Sequence, residues 1–182
     1  KVYRSSEIKQ DNSSHLIYPS HLKYEESRKM PYLALIDQLN RFIRKKSSFL
    51  ILSGYSFSDG HLNDTILNAL KANPTAMVLG LMHNKYYVEK ELGSDLVERY
   101  PDAYSLAKKQ HNLNIWTFDK AIIGTNVGCW ARDKNKDDED QDILNFVTTE
   151  DGDGGITDLV ELGDFSKFTN FLQKNIGTSS ND

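Results

Sequence analysis

A short polar stretch of the chain combines a glycine bend with several side chains that bind ligands in other proteins. It reads Ser53-Gly54-Tyr55-Ser56-Phe57-Ser58-Asp59-Gly60-His61-Leu62-Asn63. Gly54 lets the backbone approach a ligand closely because it has no Cβ, and Ser56 can donate or accept a hydrogen bond. Asp59 suits the N-cap of a following helix, where free N–H groups can hold a phosphate. The stretch is therefore a candidate binding site.

The same stretch also fits an ordinary turn between a strand and a helix. In that interpretation Gly54 is the bend and Asp59 is only the helix cap. The chain contains neither the glycine-rich dinucleotide fingerprint nor the Walker phosphate-binding motif, so neither common nucleotide signature decides the matter. The residues alone leave a ligand site and a structural turn both open.

Apolar runs and helical periodicities alternate around this stretch. Residues 49–52, 77–82 and 114–118 predict strands buried on both faces, and a short strand is predicted at residues 16–18. Spaced apolar positions predict helices between them, including most of residues 86–110. The alternation predicts an α/β fold, a Rossmann-like parallel sheet with flanking helices. Ligands bind such sheets at the carboxyl ends of the strands, which is where the polar stretch lies.

Composition and charge exclude several classes of protein. The chain has 182 residues, 38% of them hydrophobic, and a net charge of −4, so we expect a globular protein without direct nucleic-acid or membrane binding. Basic residues cluster late in a predicted helix, where cations suit the helix dipole. They are Arg41, Arg44, Lys45 and Lys46. The single cysteine, Cys129, cannot form an internal disulfide or a four-cysteine zinc site, and it favours a cytoplasmic location.

Three short patterns occur in order along residues 15–131. They are Ile17-Tyr18-Pro19-Ser20 with Lys23-Tyr24, then Pro31-Tyr32, then Leu52-Ser53-Gly54-Tyr55-Ser56-Phe57-x-Asp59-x-His61-Leu62-Asn63. Together they resemble the C-terminal half of bacterial sirtuin-like proteins, many of which are NAD-consuming effectors of antiphage defence. The resemblance implies a sirtuin-like, Rossmann-like domain whose N-terminal part is missing from this chain.

The resemblance also implies which residues bind NAD. The residues that it assigns are Gly54, Tyr55, Ser56, Asp59, Asn84, Phe118 and Asp119. The turn at residues 54–56 matches the sirtuin turn that contacts the adenosine side of NAD, with tyrosine in place of threonine. Asn84 is the nearest match to an asparagine that contacts ribose. Phe118 and Asp119 match the strand end near the adenine, although they also fit an ordinary strand end.

Two departures from the sirtuin pattern limit the assignment. The single cysteine excludes the zinc ribbon of deacetylating sirtuins, so no zinc is expected and NAD hydrolysis fits better than deacetylation. The family's Gly-Ala-Gly loop and its catalytic asparagine and histidine precede the matched region, and we expect them upstream of this chain. His15 and His21 lie near the predicted strand at residues 16–18 without a His-Gly context. No general base is assigned within the chain.

We expect three regions: residues 1–131 as the C-terminal part of the NAD-binding domain, 132–155 as an acidic flexible loop, and 156–182 as a C-terminal helix with a frayed tail. The run at residues 151–155 lacks the spacing and closing glutamate of a calcium-binding EF-hand, which favours a solvated loop. Aromatic and aliphatic positions at helical spacing predict the terminal helix. They are Phe165, Phe168, Phe171 and Leu172.

The leading functional hypothesis is an NAD glycohydrolase that depletes NAD in antiphage defence, with this chain supplying the adenosine-side pocket. The alternative is a nucleotide-sensing or scaffold subunit without catalysis. The family resemblance implies a homo-oligomer, and a HerA-type ATPase or an Argonaute-like protein as partner.

Overall fold

A computed structural model describes residues 30–89, 95–131, 147–152 and 155–176. The chain divides into two compact units, Lys1–Gln38 and Leu39–Asp182. Within the first unit, the description covers residues 30–38, which begin a helix. Several features predicted from the sequence lie outside the described residues. They are the strand at residues 16–18, His15, His21, and residues 132–146 and 153–154 of the acidic loop.

Helices and strands alternate along much of the described chain. In chain order they are α1 (Met30–Ile43), β1 (Phe49–Ser53), α2 (Gly60–Ala72), β2 (Met77–Leu81), β3 (Tyr87–Glu89), β4 (Leu96–Glu98), α3 (Pro101–Ala107), β5 (Leu113–Trp116), β6 (Lys120–Ile123), β7 (Asn126–Cys129), β8 (Val147–Gly152), β9 (Gly155–Val160) and α4 (Phe165–Ile176).

Among the described residues, the main sheet has five strands in the order β1-β2-β5-β6-β7. Strands β1, β2 and β5 pair in parallel, as predicted, whereas β6 and β7 return antiparallel. Two tight turns cause this reversal. The Thr117 hydroxyl accepts the Lys120 amide at 3.1 Å after β5, and Gly124 and Thr125 turn the chain between β6 and β7 with φ of 56° and 77°. The fold is α/β with a mixed sheet, compatible with a Rossmann-like arrangement.

The prediction that residues 86–110 are mostly helical is wrong for its first half. Strands β3 and β4 form an antiparallel ribbon with Val88 opposite Val97, and among the residues of this region that the structure describes, α3 is the one helix. Tyr86, Tyr87 and Val88 have aromatic and β-branched side chains, which favour a strand over a helix.

The C-terminal region also contains more strand than the sequence indicates. Residues 147–152 were expected in a flexible loop, but they pair antiparallel with residues 155–160 as β8 and β9. The predicted terminal helix is confirmed as α4, and Asp164 caps it by accepting the amides of Ser166 at 2.8 Å and Lys167 at 3.2 Å.

Two apolar clusters cover the two faces of the main sheet. On one face Val78, Leu113 and Ile115 pack with side chains of α2 and α3, among them Ile66 and Tyr104. On the other face Leu79 and Leu81 pack with Phe168 of α4 and with Leu162. Among the helices that the structure describes, none is both long and apolar enough to cross a membrane.

Candidate functional site

The loops that carry the predicted binding residues leave the sheet at one edge. Ser53 pairs with Leu81, and Leu81 pairs with Trp116, so the carboxyl ends of β1, β2 and β5 are level. Neighbouring strands lie about 4.8 Å apart, which makes the three loops neighbours. The parallel pairing therefore brings the loops after β1, β2 and β5 to the edge where α/β sheets bind ligands.

The turn after β1 is built largely by its own polar side chains. Gly54 has φ of 74°, a conformation that glycine adopts without strain. The Asp59 carboxylate accepts the amides of His61 at 3.1 Å and Leu62 at 3.2 Å, so Asp59 caps α2. The Tyr55 hydroxyl donates to Asn63 Oδ1 at 2.8 Å, with the Asp59 carbonyl oxygen at 3.2 Å. Two predicted binding residues, Tyr55 and Asp59, thus support the turn.

Phe57 anchors the same turn in the core. Its backbone has φ of 59°, its side chain is 1% exposed, and the side-chain Nδ2 atom of Asn63 donates to its carbonyl oxygen at 2.7 Å. A Cβ on Gly80 of β2 would lie 3.0 Å from the Phe57 ring, so the small residue at position 80 accommodates this ring. Ser56 is exposed, with its Oγ atom 3.0 Å from Ser58 Oγ. The contacts that Tyr55, Phe57, Asp59 and Asn63 make within the fold therefore explain the presence of these residues in the stretch from Ser53 to Asn63.

Asn84 holds an uncommon conformation just beyond the end of β2. Its φ is 89°, in the left-handed region that non-glycine residues rarely adopt. Its carbonyl oxygen accepts the Phe118 amide at 3.0 Å, and its Nδ2 atom lies 3.0 Å from His83 Nδ1. The His83 ring meets the Phe118 ring edge-on at 5.3 Å. The loops after β2 and β5 are thus joined at these residues.

Asp119 positions the loop after β2. Its Oδ1 atom accepts the Tyr86 amide at 2.7 Å and the Thr117 hydroxyl at 3.1 Å. The Tyr86 ring stacks on Tyr104 at 3.9 Å. Asp119 therefore fixes the backbone beside Asn84 and Lys85.

A cavity of about 440 Å³ opens beside Asn84 and Phe118. Its lining residues are Asn84, Lys85, Tyr87, Val88, Glu89, Arg99, Phe118, Leu159 and Glu161. Of the predicted binding residues, Asn84 and Phe118 are in this lining, and Asp119 is not in it but bonds the amide of Tyr86, which precedes the lining residue Tyr87. None of the residues at 54–59 is among the residues that line it. The structure thus separates the predicted site into a cavity and a neighbouring turn.

The C-terminal segment forms one wall of the cavity. The Val160 amide donates to the Phe118 carbonyl oxygen at 2.7 Å, which places Leu159 and Glu161 against the cavity. Sequence reasoning missed both residues because they lie far along the chain in a segment expected to be outside the site. No local sequence pattern indicates that these two residues line a cavity, because their position depends on the contact between β9 and the turn after β5.

A polar network holds the β3–β4 ribbon that forms another wall. The Glu98 carboxylate accepts the Tyr86 hydroxyl at 3.0 Å and the Lys108 ammonium at 2.9 Å. The Lys108 bond is the main reason that the pKa of Glu98 is below its ordinary value. Burial raises the pKa of Tyr86 and of Tyr104, so both rings remain neutral phenols.

The cavity combines three kinds of chemistry. Lys85 and Arg99 supply cations that suit phosphate groups. Phe118 supplies an aromatic surface for a base, and Glu161 supplies a carboxylate that can accept hydrogen bonds from hydroxyl groups. This mixture suits a nucleotide better than an apolar ligand.

In the part of the chain that the structure describes, no group of three or more His, Cys, Asp or Glu side chains could hold a metal ion. A comparison with protein-family models finds no matching family, and a comparison with curated proteins finds no matching protein.

Proposed function

We propose that this chain binds the adenosine half of NAD in the cavity beside Asn84 and Phe118, as part of an NAD glycohydrolase of bacterial antiphage defence. The reaction breaks the bond between nicotinamide and the ribose C1′ atom. Water adds at that carbon, and the products are ADP-ribose, nicotinamide and a proton. The described residues supply binding, and we assign none of them as the general base.

One observation carries the proposal. Asn84 and Phe118 were predicted from two different strands, and both line the same cavity at the carboxyl edge of the sheet. The cavity volume of about 440 Å³ falls within the range of roughly 300–1,000 Å³ that is typical of small-molecule sites. The lining also offers an aromatic ring for the base, an amide for the ribose and two cations for the phosphate groups of an adenosine diphosphate.

The assignment of ligand groups follows from the lining. The adenine is expected against Phe118, whose ring His83 contacts edge-on and whose backbone amide is bonded to Asn84. The Asn84 amide is expected to bind a ribose hydroxyl. The pyrophosphate is expected at Lys85 and Arg99, which both line the cavity. The Arg99 amide donates at 2.9 Å to the carbonyl oxygen of Tyr86, the residue after Lys85.

The test is isothermal titration calorimetry with NAD, ADP-ribose and nicotinamide mononucleotide. An adenosine-side pocket should bind NAD and ADP-ribose with similar affinity and nicotinamide mononucleotide far more weakly, because the last ligand has no adenosine. Release of free nicotinamide from NAD, measured on the full-length protein, tests the hydrolysis step. Absence of binding to any adenine nucleotide would refute the pocket assignment.

The second candidate is a nucleotide-sensing or scaffold subunit. It is favoured by the turn after β1, in which Tyr55, Asp59 and Asn63 are used to build the fold. Such a subunit would assemble as a homo-oligomer or with a HerA-type ATPase or an Argonaute-like protein. Light scattering measures its oligomeric state. Binding of NAD by the full-length protein without release of nicotinamide would favour sensing over hydrolysis.

A further inference from the structure

We infer that Glu161 makes the cavity select nucleotides whose adenosine ribose carries a free 2′-hydroxyl. NAD and ADP-ribose would then bind, and NADP, with its 2′-phosphate, would be rejected. This inference rests on the proposed function and deepens it by naming the ligand class. It assigns the choice to a residue that lies far along the chain from Asn84 and Phe118.

The backbone of Glu161 is fixed on both sides. Before it, the Val160 amide donates to the Phe118 carbonyl oxygen at 2.7 Å. After it, the Asp164 amide donates to the Glu161 carbonyl oxygen at 3.0 Å, in the turn that leads into α4. Glu161 therefore enters the cavity directly beside Phe118, the side chain against which the adenine is expected.

The side chain of Glu161 is also held in place. Its Oε2 atom contacts the Lys167 ammonium of α4, and the Glu161 side chain is 19% exposed. A carboxylate has acceptor capacity on both oxygens, so the contact with Lys167 leaves the other oxygen for a ligand. Holding the carboxylate in one orientation before binding lowers the entropy that a ligand contact costs.

The charge at this position decides between the two classes of nucleotide. A carboxylate accepts hydrogen bonds from ribose hydroxyls, and an acidic residue in this role is the usual partner of the NAD ribose in dinucleotide-binding folds. A 2′-phosphate would replace that donor with negative charge beside a fixed carboxylate, which is unfavourable. Lys85 and Arg99 line the same cavity, whereas Glu161 follows Val160, whose amide is bonded to the Phe118 carbonyl oxygen.

The chain offers a matched control for this role. Glu89 is a second carboxylate in the lining, and it lies on β3 rather than beside Phe118. Both Glu89→Gln and Glu161→Gln remove one negative charge from the same cavity. A general effect of charge would change the preference for NAD in both variants. Loss of ribose recognition would change this preference only in Glu161→Gln.

The experiment is calorimetric titration of the wild type and both variants with NAD and with NADP. The wild type should prefer NAD by about tenfold or more, because NADP lacks the hydroxyl that bonds the carboxylate and brings a second negative charge beside it. Glu161→Gln should lose most of this preference, and Glu89→Gln should keep it.

The outcomes separate this inference from the function on which it rests. Equal affinity of the wild type for NAD and NADP would overturn the role of Glu161 and leave the adenosine pocket intact, and this measurement needs no variant. A wild type that binds neither nucleotide would refute the proposed function itself. Equal loss of preference in both variants would overturn the role of Glu161 as the residue that reads the ribose.

Discussion

Gly163 lies directly against the backbone of Met82, with no room for a side chain between them. A Cβ atom on Gly163 would stand 2.0 Å from the Met82 carbonyl oxygen and 2.9 Å from the His83 nitrogen. The C-terminal segment is therefore fitted onto the end of β2. Because Leu159 and Glu161 belong to this segment, one wall of the cavity depends on the contact.

Replacing this glycine should disturb both the fold and the cavity. Gly163→Ala forces the segment away from β2, and overpacking of this kind costs about 1–3 kcal/mol. We expect a lower free energy of unfolding in urea and weaker NAD binding by calorimetry. Gly60→Ala is the control, since no atom lies within 4 Å of a Cβ at that position. Unchanged stability and affinity in Gly163→Ala would show that the contact is unimportant.

Asn84 allows backbone conformation to be separated from ligand contact. Its φ of 89° disfavours residues with a Cβ, and a left-handed conformation costs such residues roughly 1–2 kcal/mol. Asn84→Gly should therefore keep or raise the melting temperature while NAD affinity falls, because the amide is lost. Asn84→Ala should lose affinity and also lower the melting temperature. Full NAD affinity in the glycine variant would contradict a role of the amide in binding.

Asp59 was predicted to bind the ligand, and its contacts make it the cap of α2. Asp59→Ala should lower the free energy of unfolding by about 1 kcal/mol, the usual cost of losing such a cap. Because residues 54–59 do not line the cavity, NAD affinity should stay within the error of calorimetry. A large loss of affinity at unchanged stability would restore Asp59 to the binding site.

Ser56 tests whether any part of this turn reaches the ligand. The side chain is exposed, so Ser56→Phe should leave the melting temperature unchanged. Because residues 54–59 do not line the cavity, we expect normal NAD affinity in this variant. Weaker NAD binding would instead mean that the turn contacts the adenosine, as the sirtuin resemblance implies. Ser105→Phe, at an exposed serine of α3, is the control for nonspecific effects of a bulky ring. Normal NAD affinity in Ser56→Phe would confine the site to the cavity.

The local sequence pattern was sufficient to predict those strands and helices whose formation depends on neighbouring residues in the chain. The apolar runs at 49–52 and 77–82 became β1 and β2, and the aspartate before α2 became its cap. These features depend on periodicity and on hydrogen bonds within a few residues, which a sequence displays directly.

Features that depend on distant contacts could not be predicted in the same way. Strand β9 is bonded to the turn after β5 through the Val160 amide and the Phe118 carbonyl oxygen. No local sequence pattern predicts this contact. Residues 86–98 were expected to be helical, yet Tyr86 bonds Asp119 and Glu98 and stacks on Tyr104. The aromatic and β-branched side chains at 86–88 favour a strand, and these distant contacts hold the segment beside β5 and α3.

The Glu98 network gives the fold a defined response to acid. The pKa of Glu98 is lowered from its ordinary 4.5, first by the hydrogen bond from Lys108, while burial opposes the change and the Tyr86 hydroxyl adds to it. The unfolded chain therefore binds the proton more tightly than the folded protein does. The resulting stability is present above about pH 4.5 and is lost as the pH falls through the lower folded value.

Urea unfolding of the wild type and of Glu98→Gln between neutral pH and pH 3 measures this contribution. The wild type should be more stable near neutrality, by less than about 1 kcal/mol because the Glu98–Lys108 pair is about one-third exposed. The difference should shrink as the pH falls below 4.5. Lys108→Met removes the main cause of the lowered pKa, so this variant should also show a weaker acid dependence than the wild type. A stability difference that stays constant across this range would mean that Glu98 acts through packing rather than through its charge.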